Sequence, residues 1–148
     1  MKKEHILKGI EYVRHIHKAN LQHIEFCLRG MPLKEHPIPP SPAQCAINEW
    51  LINDAEALTP FFGVTFLKEL VALHEQWHTE FAKIYTLYYP NENNGGFIGK
   101  FIKSKRKELT PMELERARAY QTDLLQTSEV FLKKLSLLER RVKVTGFD

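Results

Sequence analysis

Four residues form a candidate zinc-ligand set: His23, Cys45, His74 and His78. Imidazole nitrogen and thiolate sulfur are zinc's usual protein ligands, and four of them close a tetrahedron. His74 and His78 are four residues apart, so a helix stacks them one turn above each other on one face. The segment His74-Glu75-Gln76-Trp77-His78 also reads as H-E-x-x-H, in which two histidines hold zinc and the glutamate activates water. The extended form of that motif fails, because Phe81 and Ile84 stand where a glycine and a third histidine are required. A downstream carboxylate, Glu92, Glu108 or Glu113, leaves the other protease type open as an alternative. A site closed by three histidines and a cysteine has no open position for catalytic water, and Glu75 is then a surface residue or a neighbour of the ligands. Cys27, four residues after His23, is an alternative sulfur donor; its blander role is a small buried hydrophobe.

The elements that must position these residues read as helices throughout. Residues 3–29 carry Ile6, Ile10, Val13, Ile16, Leu21, Ile24 and Leu28 without a proline, and Gly30 and Pro32 stop the helix. His23 falls on the side of this helix that carries Ile16, Ala19 and Phe26. If this helix runs antiparallel to the one bearing the histidine pair, His23 comes level with that pair. A loop rich in proline follows over 30–42. Ser41-Pro42-Ala43-Gln44 then has the cap, the first-turn proline and the Gln that open a helix, expected to run to about Ile52. Cys45 therefore sits in a first helical turn, where free amides and the helix dipole favour thiolate over thiol. A polar loop is expected up to Thr59-Pro60.

A third major helix is predicted over 61–89, with Leu67, Leu70, Val71, His74, Trp77, His78, Phe81 and Tyr85 facing inward. Thr110-Pro111-Met112-Glu113 is a capping box that opens a last helix over 111–141. Its seam is Leu114, Ala117, Gln121, Leu124, Ser128, Phe131, Leu135 and Leu138. The expected fold is all-α: an antiparallel four-helix bundle with a short extra helix carrying the cysteine ligand, formed by residues 1–148 as one domain. No repeat, strand pattern or phosphate-binding glycine loop is legible; Gly95-Gly96-Phe97-Ile98-Gly99 lacks the required Lys-Ser/Thr.

Composition narrows the function classes. A chain of 148 residues, 43% hydrophobic and 26% charged, is an ordinary globular domain. A net charge of +3 is too small to imply nucleic acid. The cluster Lys100, Lys103, Lys105, Arg106 and Lys107 reads as a solvated linker or helix start, with contact to an acidic partner or lipid headgroups as the alternative. No apolar run reaches membrane-spanning length and no signal-type core follows the first residues, so a cytoplasmic location is expected. There both cysteines stay thiols.

Three segments together resemble the chemoreceptor zinc-binding domain family, bacterial cytoplasmic sensor modules. That family has an early histidine followed shortly by an aromatic, then Cys-x-hydrophobic-Gly-x-Trp, then His-x-x-x-His. The matching residues are His23-Ile24-Glu25-Phe26, Cys45-Ala46-Ile47-Asn48-Glu49-Trp50 and His74-Glu75-Gln76-Trp77-His78. Asn48 stands where the family has glycine. The resemblance implies a helical bundle, often a homodimer, with one zinc held by His23, Cys45, His74 and His78. It implies a regulatory, non-enzymatic role in signal transduction such as chemotaxis, beside a chemoreceptor or a cyclic-di-GMP signalling protein. Zinc availability, or oxidation of the ligand cysteine by hypochlorous acid, is the signal linked to such domains. The physics is consistent, since oxidising the single thiolate in an otherwise neutral shell weakens the site and metal loss loosens the short helix.

Overall fold

The computed structural model describes residues 3–31, 53, 57–60, 62–90 and 106–145. The protein is mostly helical, with no strand among the described residues. Three long helices carry the structure: α1 (Lys3–Leu28), α2 (Val64–Tyr88) and α3 (Pro111–Val144). Gly30 closes α1 with φ 68°, a left-handed conformation that a Cβ disfavours. Its amide bonds the Cys27 carbonyl, and the Met31 amide bonds that of Phe26. The capping box of α3 forms as expected, with the Glu113 amide donating to Thr110 Oγ1 and the Thr110 amide donating to the Glu113 carboxylate.

Two departures from the sequence expectation share one cause. Residues 57–60 are helical where a polar loop was expected, and α3 continues to Val144 rather than ending near 141. In both places a single apolar side chain reaches the core: Leu58 is 2% exposed and Val142 fully buried. Burying such a side chain contributes about 1.5–3 kcal/mol, enough to hold a turn that local polarity does not favour. The short helix expected over 41–52, with Cys45 and Asn48, lies outside the described residues, as does the basic segment up to Lys105.

The relative direction of the helices follows from what touches what. Lys3 reaches the Lys143 carbonyl, Arg14 pairs with Glu139, and Gln121 donates to Glu25, so α3 descends as α1 ascends. Lys134 pairs with Glu69, Trp77 bonds Ser128, and Lys83 lies over the Tyr120 ring, so α3 also runs opposite to α2. Helices α1 and α2 therefore point the same way. An antiparallel relation between them, the condition under which His23 would come level with the pair, is not the one found. One core cluster joins Ile6, Ile10 and Val13 to Leu67, Leu70, Phe131, Leu135 and Val142. The other joins Ile24, Cys27 and Leu28 to Trp77, Phe81, Ile84, Tyr88 and Leu124. The buried histidines occupy the level between these two apolar clusters.

Candidate metal centre

Helix α2 places His74 and His78 inward, each 1% exposed. Their Nε2 atoms face each other at 3.1 Å and their rings meet edge to face, centroids 4.6 Å apart. Such a contact is a hydrogen bond when one Nε2 carries a proton and the other does not. It is also close to the spacing a shared metal imposes. Two nitrogens about 2.05 Å from a tetrahedral zinc stand roughly 3.3 Å apart.

The third histidine at this level is His17, which the sequence reading did not single out. It is 1% exposed, its ring lies 5.0 Å from that of Trp77 and 5.3 Å from that of Phe131, and its Nε2 is buried without a partner. Trp77 in turn meets His78 edge to face at 5.1 Å, and Phe131 lies 6.2 Å from His74. Burial, and after it the nearby His78, push the His17 imidazole down to about 4. Burial likewise pushes His74 down to about 3, with His78 and then His17 adding to the effect. All this favours neutral imidazole, the protonation state in which histidine binds metal. The sequence did hold a signal for His17. The strict 3-4 alternation Ile6, Ile10, Val13, His17, Asn20, Ile24, Cys27 is the buried stripe of α1, while Ile16 and Leu21 are only half-buried.

His23 lies elsewhere on α1. Six residues beyond His17, it is displaced about 9 Å along the axis and turned roughly 120° around it. It is half-buried, and its Nδ1 is buried without a hydrogen-bond partner. No hydrogen bond or ring contact joins it to His74 or His78 among the described residues. Cys27, the alternative sulfur, packs in the cluster that contains Tyr88. Tyr88 is ten residues past His78, about 15 Å along α2, so Cys27 stands well away from the histidine pair. Cys45 lies outside the described residues. Among the described residues, no group of three His, Cys, Asp or Glu side chains converges tightly enough to hold a metal ion as it stands.

The surroundings of the histidines are built and specific. Trp77 Nε1 donates to Ser128 Oγ at 2.9 Å in the core, and the Trp77 ring stacks on Phe81 at 5.1 Å. Gln76 and Thr127 both bond Glu80, tying α2 to α3 beside the pair. Glu75 is exposed, next in sequence to the buried His74. His74 Nδ1 is buried and unpartnered. A buried polar atom without a partner is costly in an ordinary core, and His17 Nε2, His74 Nδ1 and Asn20 Nδ2 concentrate three of them on the inner stripes of α1 and α2. The two facing Nε2 atoms are donors of the type zinc takes, while His17 does not converge with them into a group of three. No described helix is long and apolar enough to cross a membrane. Comparison with known protein families, characterised proteins and solved structures gives no match; the family likeness rests on the motif residues alone.

Proposed function

We propose that this chain is a zinc-binding regulatory domain without enzymatic activity. The observation that carries the reading is the His74–His78 pair, with Nε2 atoms 3.1 Å apart in a buried position between two apolar clusters. Two further donors complete the proposed site. One is an imidazole from α1, and the level of His17 beside Trp77 and Phe131 favours it over His23. The other is the thiolate of Cys45, in a short helix that would make the fold a four-helix antiparallel bundle. Bound zinc would tie α1, α2 and the cysteine helix together, which makes occupancy a structural signal. Oxidation of Cys45 would remove the only anionic donor and release that link. The exposure of Glu75 supports the non-enzymatic reading, because a general base must reach the water held at the metal. The proposed setting is cytoplasmic, as a homodimer beside a chemoreceptor or cyclic-di-GMP signalling protein.

Zinc stoichiometry of purified protein tests the proposal. The wild type should carry about one zinc per chain, as a single tetrahedral structural site requires. Replacing His74, His78 or Cys45 singly should abolish tight binding. His17→Ala should do the same, whereas His23→Ala should retain zinc; the opposite pattern assigns the α1 donor to His23. Negligible zinc after supplementation, or full occupancy in the His74→Ala variant, would remove the proposal. Zinc-dependent hydrolysis that Glu75→Gln eliminates would install a hydrolase in its place.

A further inference from the structure

A second polar feature lies far from the histidines, where the ends of α1 and α2 meet the segment entering α3. A cavity of about 440 Å³ opens there, lined by Cys27, Leu28, Tyr88, Arg106, Leu109 and Leu114 among others. That volume falls within the range of small-molecule sites, near its lower end. Its floor is fixed. The Lys107 amide donates to the Tyr88 carbonyl at 2.8 Å, and Lys107 Nζ is held by the Glu113 carboxylate at 2.8 Å.

Arg106 is the unusual group in this cavity. It is half-buried, its Nη1 is buried with no hydrogen-bond partner, and no ion pair is formed by it among the described residues. The other cations of the rim are already matched: Lys107 by Glu113, and Arg29 by Glu25 at 2.8 Å. Glu108 on the lining is exposed, and the Cys27 and Tyr88 side chains are neutral. Burial pushes the Cys27 thiol up despite its contact with Arg106, so the sulfur is no counter-ion near neutral pH. Burial, with Cys27 beside it, likewise pushes the Tyr88 hydroxyl up to about 12, leaving it a proton donor. A guanidinium nitrogen buried without an acceptor is costly, and the planar fork matches a carboxylate.

We propose that this cavity binds a small monocarboxylate carrying a short apolar tail, with Arg106 clasping the carboxylate. A single unmatched positive charge, with Glu108 also on the lining, suits one negative charge better than the two of a phosphate. Leu28, Leu109 and Leu114 supply the apolar wall for the tail. The Tyr88 hydroxyl and the Cys27 thiol are neutral donors to the same head group. The site is independent of zinc, since Cys27 and Tyr88 stand about 15 Å from His78 along α2.

Titration with hexanoate, read by amide chemical shifts of the full chain, tests this. Saturable shifts should centre on residues 27–30, 88 and 106–114. Acetate should bind more weakly for want of a tail, and hexanol for want of a charge. Arg106→Gln should weaken hexanoate binding roughly ten- to hundredfold, the worth of a charge-assisted hydrogen bond, with Arg106→Lys intermediate. Cys27 gives a second readout in the wild type: hexanoate should slow its alkylation by iodoacetamide, followed by mass spectrometry, and hexanol should not. Absence of saturable shifts overturns the proposal. So does tighter binding of inorganic phosphate than of hexanoate, or hexanoate binding unchanged in a folded Arg106→Gln protein.

Discussion

Burying His17 and His74 makes the metal-free protein acid-sensitive in a window that carboxylates do not reach. Burial, with the neighbouring histidines adding to it, lowers His17 from 6.5 to about 4 and His74 from 6.5 to about 3. Both therefore stay neutral in the fold while the unfolded chain takes up protons near pH 6.5. Below that pH the unfolded state binds more protons, so stability is full above 6.5 and falls as pH drops towards the folded values. Each group costs about 1.4 kcal/mol per pH unit in this window. Going from about pH 7.5 to about pH 5 should therefore remove about 4 kcal/mol from the two together. That is a large share of the roughly 5–15 kcal/mol that holds a domain together. Carboxylates do not mask it: Glu113, drawn down to about 2 by Lys107 and the Thr110 cap, starts to lose its contribution only below 4.5. Urea unfolding in a chelator at fixed ionic strength, followed by tryptophan fluorescence, gives the slope. His17→Leu or His74→Leu should each remove about half of the contribution of these two groups, and the double variant all of it. A wild type that loses less than about 1 kcal/mol over this range would refute the reasoning, as would a double variant that keeps the full slope. Zinc should steepen the dependence, because protons then compete with the metal for the same nitrogens.

Ser128→Ala should destabilise the protein by about 1–3 kcal/mol, because Trp77 Nε1–H is left buried without its acceptor; an unchanged urea midpoint contradicts this. Thr110→Ala should cost about 1 kcal/mol by removing the cap of α3, and hydrogen exchange should rise first over residues 111–114. Cys45 should oxidise with hypochlorous acid faster than Cys27, whose burial beside Tyr88 holds it as a thiol; zinc release measured alongside should track Cys45. If Cys27 oxidises first, or Cys45 oxidises with zinc still bound, the switch fails and a structural site is all that remains.

Local chemistry settled much of this protein in advance. The Thr110-Pro111-Met112-Glu113 cap, the Gly30 stop and the spacing of Leu67, Leu70, His74, Trp77, His78 and Phe81 need only neighbours a few residues away, and helices of about the expected bounds follow. The inward face of His74 and His78 was legible for the same reason: four residues on one helix fix a pair without reference to any other element. What local chemistry did not decide was which histidine of α1 comes level with that pair. That depends on the direction of α1 against α2 and on the depth to which each side chain is drawn into the core. An antiparallel α1 would bring His23 level; the parallel relation, fixed through α3, brings His17. A helix offers its neighbours a choice of registers that its own sequence leaves nearly equal in energy, and only the joint packing of Ile10, Val13, Leu70 and Phe131 selects one. The same holds for Arg106, which reads as one more cation in a basic run until the ends of α1 and α2 enclose it without an anion.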